Sequence, residues 1–435
     1  MKKQMKWLLA ALALAALATP AFAVTADMTG TLAVRGIVNN NMDGNDDIQD
    51  HGKWADQRLR LFTSVAANEN VKAVLGLEVD NVWGRVSTAA GSKDIGSVGT
   101  DAKGQIEIKH LYLDFKIPGL GANVKAGSQP FNFGRGLVVN DDASGLLVTI
   151  PCPAVPDNTL QLSWIKTSEG QAQNTLDNPA TAANELYTTA SSDEGDFYGA
   201  KYSMKLAGIA VAPYAGYYQN DFVSTSTIND GVEAAFFGVD VDGKAGGFGY
   251  AATAIYNTWS NGPADSSSVT LYGKGTMGMG ATTLSLEAAR MGDDENQGGN
   301  AMSLAQGAAN GPLINISEIL TGGMYTANAG PQTNIGGAGG ASNLYLTNWF
   351  FVKAGVVQKL NDKMTVSGYL AHIEQAEDSA PGVDAITYGQ ELTGYFDYAI
   401  VPGLGLNVMG SYLLNDDYAA GDDAYKLATS LNYKF

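Results

Sequence analysis

The sequence predicts an all-β chain: a transmembrane, antiparallel up-and-down β-barrel of about 18 strands. Three observations carry this: a C-terminal strand of alternating character, an export leader at the N-terminus, and a regular alternation of short and long links between amphipathic segments. The chain ends in YKLATSLNYKF. Tyr425, Leu427, Thr429, Leu431, Tyr433 and Phe435 fall on one face, and Lys426, Ala428, Ser430, Asn432 and Lys434 on the other. Strand side chains point alternately to opposite faces, so this segment has one apolar and one wet side.

At the other end, Lys2, Lys3 and Lys6 precede the apolar run WLLAALALAALA and then TPAFA, with small Ala21 and Ala23 before Val24. That is the pattern of a cleaved secretory leader. The run is shorter than the roughly 20 residues a spanning helix needs. Residues 1–23 therefore read as a signal peptide, and 24–435 as a β-barrel with long external loops. No later segment approaches a spanning helix, which excludes a helical membrane protein. Barrel strands escape such a search because lipid-facing and lumen-facing residues alternate.

Three of the 26 basic residues belong to the leader, leaving 23 against 44 acidic ones. This acidic surplus argues against nucleic-acid binding. Cys152, in the turn-like PCPAVP, is the single cysteine, so no intramolecular disulfide forms, and it reads as an unpaired structural thiol.

The first clear hairpin is RLRLFTSV, AANEN, VKAVLGLEVD, with Leu59, Leu61, Thr63 and Val65 facing one way and Arg58, Arg60, Phe62 and Ser64 the other. Similar pairs flank PGLGA near 120, the proline-rich 151–158, AG at 207, GKAGG near 245, GMG at 278, NDK at 361 and VPGLG near 403. Gly, Pro and Asn-Asp supply the turn geometries. Longer polar links cover 39–54, 84–104, 134–145, 168–195, 220–231, 260–267, 292–343, 375–388 and 415–423. Nine long and eight short links separate eighteen strands; if the brief LLVTI near 148 is not a crossing, the count is sixteen. An even count puts both termini at the short-turn end. The last strand must then pair with the first, near Thr29–Val38, because lipid leaves an open edge no hydrogen-bond partners. Aromatics near strand ends (Tyr202, Tyr217, Tyr218, Trp259, Trp349, Phe350, Tyr412, Tyr433, Phe435) suit interfacial girdles.

The leader, the link alternation and the terminal Phe435 together resemble a Gram-negative outer-membrane porin over the whole mature chain. In that family the terminal aromatic belongs to the insertion signal. The stretch GSQPFNFGRGLVVNDDASG resembles a segment of alginate-export-type porins, which have 18 strands. The resemblance implies a water-filled lumen for passive diffusion of ions and small hydrophilic solutes. It also implies an outer-membrane setting among lipid and lipopolysaccharide, with no cofactor, metal or catalytic residue. General porins are trimers and many 18-stranded selective relatives are monomers, so both a homotrimer and a monomer stay open.

Charge placement sharpens the picture of the lumen. Twelve of the 23 mature basic residues lie within 24–135. Parity puts Arg35, Arg58, Arg60, Lys72, His110, Lys116 and Lys125 on the polar faces of consecutive strands, where they form a basic stripe. A charge on the lipid face near the midplane costs about 2–4 kcal/mol, which favours the lumen. In general porins the third external loop folds inward. Here the third long link carries Asp141 and Asp142, preceded by Arg135. The expectation is an eyelet in which a basic wall faces an acidic loop and orders water and small zwitterions. Acidic external loops favour cations and a basic lumen favours anions; the overall acidity tips the expectation toward cations.

Asp43, Asn45, Asp47 and Asp50 have the spacing of a calcium loop, but no Glu stands at its twelfth position and Gly44 is misplaced. A solvated acidic loop is the simpler reading. The 292–343 link, with its apolar PLINISEIL, reads as a short helix that plugs or caps the mouth. The same residues speak to two rival classes. An outer-membrane hydrolase needs a paired histidine, and His51, His110 and His372 sit in no catalytic pattern. A non-conducting scaffold or sheath for a partner protein would have to borrow any redox centre, because the chain has no C-x-x-C-H.

Overall fold

The computed structural model describes residues 24–42, 44–47, 51–84, 94–95, 106–155, 157–168, 195–220, 232–261, 264–291, 317–320, 348–378, 384–417 and 420–435. Residues 1–23, where a leader was expected, Asp43 and Asp50, and most of the long links near 84–104, 168–195, 220–231 and 292–343 lie outside them.

The strands, in chain order, are β1 (Thr25–Asn40), β2 (Gly52–Asn68), β3 (Val71–Trp83), β4 (Asp94–Ile95), β5 (Glu107–Ile117), β6 (Ala122–Phe133), β7 (Val139–Pro151), β8 (Thr159–Ser168), β9 (Gly195–Leu206), β10 (Ile209–Asn220), β11 (Val232–Ala245), β12 (Phe248–Asn261), β13 (Ala264–Met279), β14 (Thr282–Met291), β15 (Trp349–Lys359), β16 (Met364–Glu374), β17 (Thr387–Val401), β18 (Leu404–Asn415) and β19 (Ala424–Lys434). β4 is a two-residue segment lying parallel to Val82–Trp83. The other eighteen form one antiparallel sheet that closes on itself, with β19 paired to β1 from Thr31–Lys434 to Asn40–Tyr425. Gly30 and Phe435 complete the seam by exchanging both backbone hydrogen bonds, at 2.8 and 3.1 Å. Closure falls within two residues of the expected Thr29–Val38 pairing. No strand edge is left along the seam, as a lipid environment requires. The wall strands run from 10 to 17 residues, enough for a tilted crossing of about 9–11 residues.

Directly opposed residues of paired strands share a face. The two faces can therefore be followed around the whole circuit. Lys426 lies opposite Asn39 and Ser411, Arg35 opposite Asp56, and Arg58 opposite Asp80, all inward. The other parity carries Leu111, Leu113, Leu271, Leu392, Leu427 and Leu431, all exposed. It is the lipid-facing belt.

All eight expected short links stand between consecutive strand ends, from Asn68/Val71 to Val401/Leu404. Two long links are shorter than expected. β12 and β13 run on to Asn261 and Ala264, so only two residues of 260–267 lie outside strands. β7 starts at Val139, which places Asp141 and Asp142 on a strand, not in a loop. Three expected girdle aromatics, Tyr218, Trp259 and Trp349, face inward and are buried. They belong to an apolar cluster inside the barrel, lined by strands from β6 round to β19. The β1–β5 side of the lumen carries ion pairs, with a small second apolar cluster around Ile37 and Trp54.

Leu271 lies midway along β13 on the lipid face. Leu271→Arg should cost about 2–4 kcal/mol of stability. Thr276→Arg, on the wet face of the same strand, should change it by about 0.5 kcal/mol or less. Urea midpoints for the barrel refolded into lipid vesicles would check both values. Equal costs would contradict the assigned faces.

Candidate functional site: the lumen constriction

The segment 127–145 leaves the wall. β5 stays paired to β6 only as far as Leu111–Ser128, and β7 pairs with β8 only from Ser144–Lys166. Between those points β6 and β7 pair only with each other, through Phe133–Val139. Gly127 and Gly145 face one another at the departure point. Gly127 has φ 128°, and a Cβ there would stand 2.8 Å from the Tyr112 backbone, so only glycine allows the kink. Pro130, the next wall-leaving residue but one, needs no ladder partner for a missing N–H. Buried Gln129 supplies the donors lost there: its side-chain amide reaches the carbonyls of Lys125, Gly127 and Gly145 at 3.1, 3.5 and 3.2 Å. Unmet buried carbonyls would be costly.

The hairpin folds into the barrel and docks on the inner face of β9–β12. Phe133 meets Phe197 and Tyr214 edge-on, with ring centroids 5.3 and 5.1 Å apart. The wall opens a seat for these rings. Gly199 lies opposite Gly216, and a Cβ on either would come within 2.8 Å of the Phe133 or Phe197 ring. Leu137 and Val138 are fully buried beside them. At the tip, Gly134, Arg135 and Gly136 take left-handed φ values of 60°, 54° and 77°, and the two glycines make the turn tolerable for Arg135 between them. Arg135 grips Asp242 through both terminal nitrogens, at 3.1 and 2.9 Å, and its Nε donates to Thr253 at 2.7 Å. Its guanidinium lies 5.9 Å from the Tyr272 ring centroid.

Facing this cluster is the charge ladder of β1–β5. β12 lies nine strands from β2 in either direction, so Arg135 sits on the wall diametrically opposite Arg58 and Arg60. The expected all-basic stripe is instead a row of ion pairs, because the register sets an acid opposite each arginine. Arg35 binds Asp56 through two bonds of 2.6 and 2.9 Å, and Arg58 binds Asp80 at 2.7 and 2.9 Å. Arg60 pairs with Glu78, and Lys72 with Asp114 at 3.4 Å. Lys125 lies over the Tyr112 ring at 5.8 Å, and Lys116 is exposed beside the β5–β6 turn.

Asp142, from the departing hairpin, meets this basic wall. It binds Lys109 at 2.5 Å and His110 at 2.9 Å. Asp141 turns back to accept the Asp142 N–H at 2.7 Å. Lys109 escaped the sequence reading because strict alternation opposes it to His110. A bulge pairs Gly76 with His110 but Leu77 with Ile108, and the extra residue turns inward too.

A second insertion comes from the long link between β14 and β15. Ser317–Leu320, the end of PLINISEIL, is wholly buried against the inner face of β16–β19. These four residues form bends; the rest of the 292–343 link, where a short helix was expected, lies outside the described residues. Lys426, expected to face water, is inside the barrel but fully covered by this segment.

The closed eighteen-stranded antiparallel barrel is the fold of solved Gram-negative outer-membrane porins. Solved structures sharing it include OccAB1 of Acinetobacter baumannii, 11% identical with a TM-score of 0.56, covering 94% of this chain and 96% of that one. A BenF-like porin of Pseudomonas fluorescens Pf-5 is 13% identical with a TM-score of 0.54, covering 95% and 100%. OccK2 (OpdF) of Pseudomonas aeruginosa, solved in complex with glucuronate, is 11% identical with a TM-score of 0.53, covering 94% and 98%. At these identities the likeness is one of fold. No protein-family model matches the chain, and no curated protein matches it.

Phe133→Ala should remove about 3–5 kcal/mol of hairpin docking, the usual cost of a buried phenylalanine. The freed tip would present Arg135 to trypsin. The expected result is cleavage after Arg135 in the variant and resistance in the parent protein. Equal resistance would show that Phe133 does not hold the hairpin.

Proposed function

We propose that the chain forms a water-filled channel of the Gram-negative outer membrane for passive diffusion of ions and small hydrophilic solutes. The short turns face the periplasm and the long links face outward, toward lipopolysaccharide. The observation carrying this reading is the inserted 127–145 hairpin, whose Arg135 stands across the lumen from the Arg35–Arg58–Arg60 ladder. Barrels of this size enclose an aqueous channel unless something fills it. Here an inserted segment narrows the channel and places charge on both sides of the remaining path.

Small organic anions are the solutes this arrangement favours. Arg60 keeps a third of its side chain exposed and Lys72 nearly half, so each can exchange a wall carboxylate for a solute carboxylate as it passes. Guanidinium forks match carboxylates bidentately. The glucuronate bound to OccK2 is such an anion. Local field along the path outweighs net charge, so the acidic total does not prevent this.

Planar-bilayer recording under a salt gradient tests the proposal. The parent protein should conduct. Asp142→Asn leaves Lys109 with only Glu78 at 3.8 Å, so the reversal potential should shift toward anions. The Arg58→Ala/Arg60→Ala pair should shift it toward cations. A silent bilayer would support the scaffold reading. Reversal potentials unchanged in both variants would remove the ladder from the permeation path.

A further inference from the structure

The Ser317–Leu320 segment is bound the way a ligand is bound. Four of its polar groups, the Glu318 and Ile319 N–H, the Glu318 carbonyl and the Glu318 carboxylate, are met by wall side chains, and Ser317 itself accepts the Leu320 N–H at 2.9 Å. The Glu391 carboxylate accepts the backbone N–H groups of Glu318 and Ile319, at 2.7 and 3.0 Å. Lys426 donates to the Glu318 carbonyl at 2.9 Å and lies 3.4 Å from its carboxylate. Tyr395 donates to the same carboxylate at 2.8 Å. Ile319 and Leu320 sink into the apolar cluster. The wall side is built in advance: Tyr369, Thr393 and Ser411 all donate to Glu391 Oε1, at 3.0, 2.9 and 3.0 Å, which fixes its orientation.

A purely structural contact would not need this chemistry. Lys426, Glu391 and Glu318 are fully buried, and buried charges are expensive unless each is paired and hydrogen-bonded. Without Ser317–Leu320, the inner wall of β16–β19 would hold an acid, a lysine and a tyrosine hydroxyl beside an apolar patch. That set recognises a backbone N–H donor, a carboxylate and an aliphatic side chain together. We infer that this wall is a binding site for short acidic peptides and glutamate-like amino-acid solutes, and that the chain's own Ser-Glu-Ile-Leu segment occupies it as a tethered competitor. A tethered ligand acts at an effective concentration on the order of millimolar, so free solute binds only as it displaces the segment. The inference deepens the channel reading and depends on it for any role in transport, but the binding itself does not require conduction.

The test is calorimetric titration of the detergent-solubilised full chain with end-blocked Ser-Glu-Ile-Leu peptide. Glu318→Ala/Ile319→Gly vacates the site and should bind the peptide about tenfold or more tightly than the parent protein does. Adding Lys426→Met should weaken that binding by about tenfold, and the peptide Ser-Gln-Ile-Leu should bind about tenfold more weakly than Ser-Glu-Ile-Leu. If the double variant fails to fold, Glu318→Gln serves: it keeps the segment's backbone contacts and volume, and should still admit the acidic peptide better than the parent does. The inference fails if the vacated protein binds no peptide, binds it no better than the parent, or does not distinguish Glu from Gln. A silent bilayer with positive calorimetry would sink the channel reading and leave the site standing.

Discussion

Everything in this molecule depends on closing the sheet. Inside lipid, a backbone N–H or C=O without a partner costs several kcal/mol, so a sheet can cross only if its first and last strands meet. The β1–β19 seam meets that demand down to the terminal residue, where Phe435 and Gly30 exchange their backbone hydrogen bonds. Closure then fixes the faces. Once Leu427 and Leu431 point to lipid, every opposed pair around the circuit is assigned, and Arg35, Arg58, Arg60 and Lys72 fall to the lumen.

The constriction is made by breaking that rule locally. Between Gly127 and Gly145 the chain gives up its wall partners, which is affordable only because the hairpin pairs with itself and Gln129 meets the carbonyls at its base. Docking compensates for the departure: Phe133 settles on a floor that two facing glycines keep low, and Arg135 is tied to Asp242 and Thr253. The result is a rigid insertion, because apolar packing and a bidentate ion pair hold the same few residues.

Much of this was legible in the sequence, and the misses have physical causes. Strand alternation, the eight short turns and the β1–β19 pairing are local or periodic signals, and they survive in the fold. The inward third insertion is legible too, but the link-length pattern puts its acids in the 134–145 connection. Asp142 instead sits on β7, beyond a kink that alternation alone cannot reveal. Lys109 was hidden by a bulge, which shifts the parity by one residue. The signals that could have found the hairpin were in plain view: Gly127, Pro130 and Gly145, with FGRG between them, describe a strand pair that leaves its sheet and turns tightly. The acid partners of the ladder were missed for a different reason. Pairing Arg35 with Asp56, or Arg60 with Glu78, requires the inter-strand register, which no single strand states.

That register is protected by the same charges it aligns. Because side chains alternate with period two, a slip of β2 by one residue against both β1 and β3 would send Arg58 and Arg60 into lipid and part each from its acid on β3. At about 2–4 kcal/mol for each lipid-facing arginine, the slipped barrel would lie several kcal/mol above the native one before any lost ion pair is counted. In the native register the two arginines gain bidentate or close pairing with Asp80 and Glu78, at little net electrostatic cost to the lumen. The ladder is therefore a folding constraint as well as the charged lining of this side of the lumen. The burial is uneven along the ladder: Asp56, Glu78 and Asp80 are buried and hold the register, while Arg60 keeps a third of its side chain exposed on the lumen side, where the proposed anion path would meet it.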